Sequence, residues 1–501
     1  MRLLCVLCGK RYYSERTQFF IHKKKQPFHQ KNVIDQKKYC IFTAFLNKKD
    51  MNDDNDNYWY DDEVLNSVNR YEAMKKNHTR CFFDVHEFED IIDYYLDTEN
   101  FAEATAAAKY AARIYPLASS IQLRIAEILI DKGQPVKALN LLNKLEYLET
   151  GEYGVFLLRG AALNMMGKPR EAQRQFEKAI ELADENKIEV LYNIGMSFER
   201  INQHKVALKY FQKVHAMEPE NYYLYYDLAY CCERLDEFDK SIAYYLKYLD
   251  EDPFSEHVWY NLGIVYNKKD DNEKALEAYD FAIAIDQTYS SAYFNKANTL
   301  SLLEHCKEAI ETYHEFLELE PDNAAAYCYA GECFERLEEY AMAKIHYLKS
   351  LTLDDQFADA WFGLGVIKSQ EGIYEEAVKN LLHAVSLDED NSEYLFALAS
   401  AYANMQKYRQ AETIFKKLVR LITSDIHMWD CFAQVYAKQG DFEKAMKIIT
   451  EALHFNPDTA LLRYRLAAYH LLNDEEKQGL AVLGETLLKN PEESKCFFDV
   501  F

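Results

Sequence analysis

The sequence predicts an all-α solenoid, a tandem array of antiparallel helix pairs, on three observations. A period of 34 residues runs from Val85 to Pro491, with small residues at one phase: Gly160, Gly195, Gly263, Gly331 and Gly365, and alanine at 126, 229, 297, 399, 433 and 467. Twelve residues later comes a second small phase, from Ala138 and Ala172 through Ala275 to Ala445. Twelve further on stands proline or an acidic residue: Pro116, Pro219, Pro253, Pro321, Pro457 and Pro491. A fixed period of roughly 20–50 residues marks a stack of identical supersecondary units.

With each repeat numbered 1 to 34, the starts fall at 85, 119, 153, 188, 222, 256, 290, 324, 358, 392, 426 and 460. That makes twelve repeats, the third of them 35 long, with its extra residue in the turn Asp184-Glu185-Asn186-Lys187. Positions 4, 7, 8 and 11 are apolar or small, the stripe of an amphipathic helix, as in Trp259, Leu262, Gly263 and Tyr266. Positions 20, 24 and 27 form a second stripe, as in Ala275, Tyr279 and Ala282. Each repeat is therefore a helical hairpin. Close crossing of the two helices calls for Gly or Ala at positions 8 and 20, with large aromatics at 4, 11 and 24 filling the surrounding space. Glycines near position 15 (Gly133, Gly167, Gly372, Gly440) let the chain leave the first helix, and proline at 32 ends the second. A lone hairpin leaves one apolar face wet, and stacking covers it.

The run Trp259-Tyr260-Asn261-Leu262-Gly263-Ile264-Val265-Tyr266, followed by Ala275, Tyr279 and Ala282, resembles the tetratricopeptide repeat (TPR) signature. The resemblance covers residues 85–493. It implies a right-handed superhelix whose first helices line a concave groove. Some residues depart from the pattern: Ile92 at position 8 of the first repeat, Lys368 at position 11 of the ninth, and Arg463, His470 and Gly479 in the twelfth. The last three suit an end repeat facing water.

Outside the array the composition changes. Residues 1–50 hold 12 of the 58 Lys/Arg and 3 of the 82 Asp/Glu, a balance of +9, which leaves −33 for residues 51–501. An array this acidic repels a phosphate backbone, so a neutral or basic protein or peptide partner is expected, and neither nucleic acid nor membrane. The basic segment 1–50 is read as disordered or as a misplaced start, because Met51-Asn52-Asp53-Asp54 opens a run whose charge matches the rest. Residues 51–84 form an acidic lead-in, helical from Tyr71 to Met74, and residues 494–501 an incomplete capping helix. Cys5-x2-Cys8 with His22 and His29 approaches a zinc site, but the spacings differ from those of a two-Cys two-His finger. It carries the alternative reading, a metal- or nucleic-acid-binding module on a TPR spacer.

The eleven scattered cysteines and the short apolar run before Lys10 point to reduced thiols in a cytoplasmic protein with no secretory signal. No phosphate loop, zinc-protease or nucleophile-elbow motif is present, so no catalytic residue, metal or cofactor is assigned. Binding then falls to the groove positions 2, 5, 6, 9, 12 and 13. Position 5 supplies Tyr192, Tyr226, Tyr260 and Phe294; position 6 supplies Asn193, Asp227, Asn261, Asn295 and Tyr329; position 9 adds Tyr230 and Asn298. An Asn amide pairs with a peptide backbone as donor and acceptor, and aromatics add apolar area at low entropy cost. The pairs Glu199-Arg200, Glu233-Arg234 and Glu335-Arg336 read as solvated salt-bridging faces. The lysines of a carboxylate clamp are missing from positions 2 and 5. The function expected is a non-catalytic scaffold holding a partner segment in the groove. A monomer is favoured, with Phe497, Val500 and Phe501 docked on the twelfth repeat and a homodimer through that end as the alternative.

Overall fold

A computed structural model describes residues 62–98, 100–145 and 151–490. The readings on residues 1–50, and on the apolar run at 497–501, lie outside the described residues. Among those described there are 25 α-helices and no strand. One helix, Asp62–Asn77, precedes the array, longer than the short helical stretch expected around Tyr71. Its Val68, Tyr71 and Met74 are buried with Phe83 of the lead-in and with Phe88 and Tyr95 of the first repeat.

Twelve helix pairs follow, with first helices starting at Val85, Ser119, Tyr153, Lys187, Leu224, Glu256, Ser290, Ala324, Ala358, Ser392, Ile426 and Ala460. A short 3-10 turn, Asp184–Asn186, takes up the extra residue of the third repeat. The described residues fall into two compact units, repeats 1–6 up to Asp286 and repeats 7–12 from Gln287. First helices of successive repeats touch in repeats 1–4 of one unit and throughout repeats 7–12 of the other. No two second helices meet to the same extent among the described residues, so the first helices form the inner layer of each unit.

Glycine at position 8 answers chiefly to the side chain at position 24. A Cβ on Gly160, Gly195 or Gly263 would stand 2.4–2.5 Å from the ring of Phe176, Phe211 or Tyr279. The position-20 backbone is a lesser contact: Ala343 O and Ala377 O lie 3.4 and 3.3 Å from the Cβ positions of Gly331 and Gly365. The ring lies on the first helix, and glycine makes room for it.

Position 15 has left-handed backbone in all of repeats 2–12, with φ between 57° and 75°. Gly133, Gly167, Gly372 and Gly440 serve there, but so do Asn202, Asp236, Asp270, Glu304, Glu338, Gln406 and Asp474. Each closes a Schellman-type turn; the Glu237 N–H, for example, reaches Cys232 O at 2.9 Å. Tryptophan at position 4 ties its indole N–H to the carbonyl at position 32 of the previous repeat. Trp259 bonds Pro253 O at 2.9 Å, Trp361 bonds Asp355 O at 2.9 Å and Trp429 bonds Thr423 O at 3.0 Å.

The end repeat corrects one expectation. Arg463 does not simply face water: its guanidinium bonds Pro457 O at 3.0 Å, the same tie that tryptophan makes elsewhere. His470 meets Glu475 at 2.7 Å, and Gly479 is buried against Leu471. Arg463 thus makes with a polar side chain the contact that tryptophan makes elsewhere.

Candidate protein-interaction face

In the first unit, side chains on the first helices of repeats 4, 5 and 6 (Lys187–Glu199, Leu224–Arg234, Glu256–Lys268) bond from one repeat to the next. The Tyr192 hydroxyl donates to Asp227, and the Cys231 thiol to Glu199 at 3.7 Å. The Asn261 amide donates to the Tyr226 hydroxyl at 3.0 Å, and Lys268 to Glu233 at 2.7 Å. The position-5 rings are half-buried because each leans on the position-24 ring of its own repeat: Tyr192 on Phe211 at 5.6 Å, Tyr226 on Tyr245 at 5.9 Å, Tyr260 on Tyr279 at 6.0 Å. Tyr230 packs its edge against His204 at 5.8 Å, and Asn193 is half-buried on the same helix as Tyr192.

The electrostatics of this face are carried by carboxylates. Burial pushes the Asp227 carboxyl up to about 7, the nearby charge of Glu199 pushes the same way, and the Tyr192 hydrogen bond opposes both. Burial also raises Glu199. Tyr192 is raised in turn by burial and by Asp227.

The second unit is built differently. Phe294 lies 5.1 Å from Phe316 and 6.0 Å from Tyr329, whose ring also meets Phe357. Asn298 accepts the Tyr313 hydroxyl at 2.6 Å, and Asn295 is half-buried beside it. From Cys328 onward position 5 is buried, Phe362 and Phe396 included. Burial drives Glu332 and Glu335 of helix Ala324–Arg336 up to about 7 each, with Arg336 opposing in both. The Tyr347 hydroxyl donates to Glu335 at 2.8 Å, and that of Tyr394 donates to Asp359.

The proposed site residues therefore divide. Tyr192, Tyr226, Asp227 and Asn261 are joined by hydrogen bonds in one unit, with Asn193, Tyr230 and Tyr260 on the same helices. Phe294, Asn298 and Tyr329 share an aromatic cluster in the other, with Asn295 alongside.

Of the Glu-Arg pairs only the arginines are exposed, and the glutamates are not. Glu233 is buried, Glu199 and Glu335 half-buried, and each accepts a bond from a neighbouring element. Arg200 turns to Asp131 at 2.7 Å and Arg336 to Ser301 O at 2.8 Å. Adjacency in sequence suggests pairing, whereas packing turns each glutamate to another element. For Glu335 a usable signal is tyrosine at position 24, since the Tyr347 hydroxyl donates to it. Among the described residues no group of three or more His, Cys, Asp or Glu is placed to hold a metal ion. The seven described cysteines are free.

Tetratricopeptide-repeat profiles match residues 90–150, 192–256, 258–289, 294–356, 358–391, 392–425 and 427–459, more than half of the chain. Similar solved structures include the APC/C hetero-tetramer Cut9-Hcn1, at 14% identity over 88% of this chain and 96% of that one, TM-score 0.41. A tetratricopeptide repeat protein from Parabacteroides merdae matches at 16% identity over 49% and 97%, TM-score 0.41. YrrB, described as a TPR protein with an unusual peptide-binding site, matches at 26% identity over 40% and 99%, TM-score 0.32. No curated protein matches significantly.

Proposed function

From the premise that this chain belongs to the tetratricopeptide repeat family, a class of protein-interaction scaffolds, we propose that it is non-catalytic and holds a segment of a partner protein against its first helices. The carrying observation is the face of repeats 4–6. Half-buried aromatic rings and an amide recur there at the same positions of successive first helices, Tyr192, Tyr226, Tyr260 and Asn261, with apolar area and hydrogen-bonding capacity still reaching solvent. The partner is neutral or basic, since carboxylates stand among those rings and the array is strongly acidic. Free cysteines support a reducing, cytoplasmic setting. Among the described residues no helix is long and apolar enough to cross a membrane.

Affinity capture from a native extract tests the reading. Tyr226→Ala with Asn261→Ala is expected to lose the proteins that the wild type retains, with the helical circular dichroism unchanged. Capture that survives both substitutions would move binding off this face.

A further inference from the structure

The second helix of repeat 8, Tyr340–Leu353, is apolar on both of its sides. Its inward side is packed through Ala343, Tyr347 and Ser350, all buried. Its solvent side carries Met342, Ile345 and Leu348, which are 38%, 58% and 54% exposed, and Lys349 is the only charge exposed on it. The repeat pattern does not require this. Positions 19 and 22, Met342 and Ile345 here, are Glu308 and Glu311 in repeat 7, Glu376 and Lys379 in repeat 9, and Lys444 and Lys447 in repeat 11. A helix that is apolar all round is one that something covers, and clustered exposed apolar side chains mark a surface that meets another molecule.

Charge on the neighbouring helix says what kind of molecule. The second helix of repeat 7, Cys306–Leu319, borders the patch: its His314 stacks on His346 of repeat 8, ring centroids 5.6 Å apart. Glu311 and Glu318, three residues before His314 and four after it, share its side of the helix, with Glu315 next to them. All three are exposed, and among the described residues none of them pairs with a lysine or arginine. Lys307 is the only cation of that helix. An apolar ridge with an acidic row along one flank is complementary to a helix that has apolar residues in one stripe and lysine or arginine in the next. The ridge residues recur every third position, a row that fits between the rows of another helix. The glutamates recur at spacings of four and three, so a helix laid alongside meets them with one cation per turn. A second copy of so acidic a chain is the poorer match in charge.

We propose that the outer surface of repeats 7 and 8 is a second docking face, which takes a basic amphipathic helix of a partner protein. Its apolar stripe rests on Met342, Ile345 and Leu348, and its cations lie along Glu311, Glu315 and Glu318. This face is built on second helices, whereas the face of repeats 4–6 is built on first helices of the other unit. Neither depends on the other.

The test uses the full chain and a labelled leucine–lysine peptide of about four helical turns, with its leucines on one face. Binding is read by fluorescence anisotropy at about 0.15 M salt. A leucine–glutamate peptide of the same pattern and a leucine–lysine peptide of scrambled order are the controls. Ile345→Ser with Leu348→Ser is expected to weaken the leucine–lysine helix about tenfold. Leu480→Ser with Leu488→Ser, which removes exposed leucines elsewhere in the same unit, should weaken it by less than about twofold. Glu311→Gln with Glu318→Gln should weaken it about threefold, and Glu443→Gln with Glu451→Gln, an exposed pair on the second helix of repeat 11, by less. All of these side chains are exposed, so the fold is retained, and circular dichroism checks this. Equal losses from the matched pairs, or equal binding of either control peptide, overturn the docking face. Sedimentation tests the other occupant: a wild-type dimer that Ile345→Ser with Leu348→Ser turns to monomer assigns the patch to a second copy and overturns the partner helix. Tyr226→Ala with Asn261→Ala should leave the peptide bound, so failure here leaves the reading of repeats 4–6 standing.

Discussion

Repeats 4–6 and repeats 8–10 are built from the same consensus, yet their first helices present different faces. In the former, position 5 is tyrosine, half-buried and reaching solvent. In the latter it is Cys328, Phe362 and Phe396, all buried. Position 6 differs as well, most sharply in repeat 9. Repeats 4–6 carry Asn193, Asp227 and Asn261 there, whereas repeat 9 carries Gly363. A Cβ on Gly363 would stand 2.3 Å from Cζ of Tyr347, and one on Gly331 2.9 Å from the same ring. The ring is thus wedged between two glycines of successive first helices. In repeat 9 the absence of a position-6 side chain leaves room for that ring.

The largest expected effect follows from that wedge. Gly363→Asn, which installs the residue used in repeats 4 and 6, should destabilise the second unit by about 3 kcal/mol, the upper end of typical overpacking. Asn261→Gly should cost only about 1–2 kcal/mol, from helix propensity and the lost bond to Tyr226. Urea unfolding of both variants measures the difference. A smaller cost for Gly363→Asn than for Asn261→Gly would dismiss the wedge.

The carboxylates sharpen the comparison through pH. Asp227 in one unit, and Glu332 and Glu335 in the other, are each raised to about 7, first by burial. An acid whose folded-state pKa lies above its unfolded value binds protons more tightly when folded. Its stabilising contribution is complete below about pH 4 and lost as pH rises through 7. The thermal midpoint should therefore fall between pH 5 and pH 8, by roughly 2–4 °C per kcal/mol. Glu332→Gln with Glu335→Gln should flatten the fall more than Asp227→Asn does. A midpoint that rises with pH over this range would show the carboxylates to be stabilised by cations in the folded chain.

The architecture was legible because its determinants repeat. Twelve copies average out local exceptions, and a ring resting on a first helix demands glycine or alanine at one fixed phase. The site was legible only in part. Tyr226 and Asn261 are recognisable as face residues from their positions, but the bond between them joins residues 35 apart whose relative placement depends on the stacking. Glu199 and Glu335 were misread, since each sits beside an arginine in sequence while its partner, Cys231 or Tyr347, comes from another helix. Arg463 shows the same limit from the opposite side. A charged residue at a core phase looked solvent-facing, and its use of tryptophan's carbonyl could not be read from residue type.

The smallest expected effect concerns position 15, where the two units again differ. The first places glycine, asparagine or aspartate there, as Gly133, Gly167, Asn202, Asp236 and Asp270, all types that tolerate left-handed backbone. The second has Glu304, Glu338 and Gln406, at φ of 67°, 62° and 57°, beside Gly372, Gly440 and Asp474, and a long side chain there holds a strained backbone. Glycine would remove the Cβ clash while adding freedom to the unfolded chain, and the two effects partly cancel. Each of Glu304→Gly, Glu338→Gly and Gln406→Gly should therefore stabilise by about 0.5–1 kcal/mol. Asp236→Gly and Asp270→Gly should be closer to neutral. Gly372→Ala and Gly440→Ala should each cost about 1 kcal/mol, although no atom lies within 4 Å of either added Cβ, because the penalty is local to the backbone. Thermal unfolding of the seven single variants ranks them. Equal gains in the two units would show that the aspartates carry the same strain as the glutamates, and that the difference at position 15 has no energetic consequence.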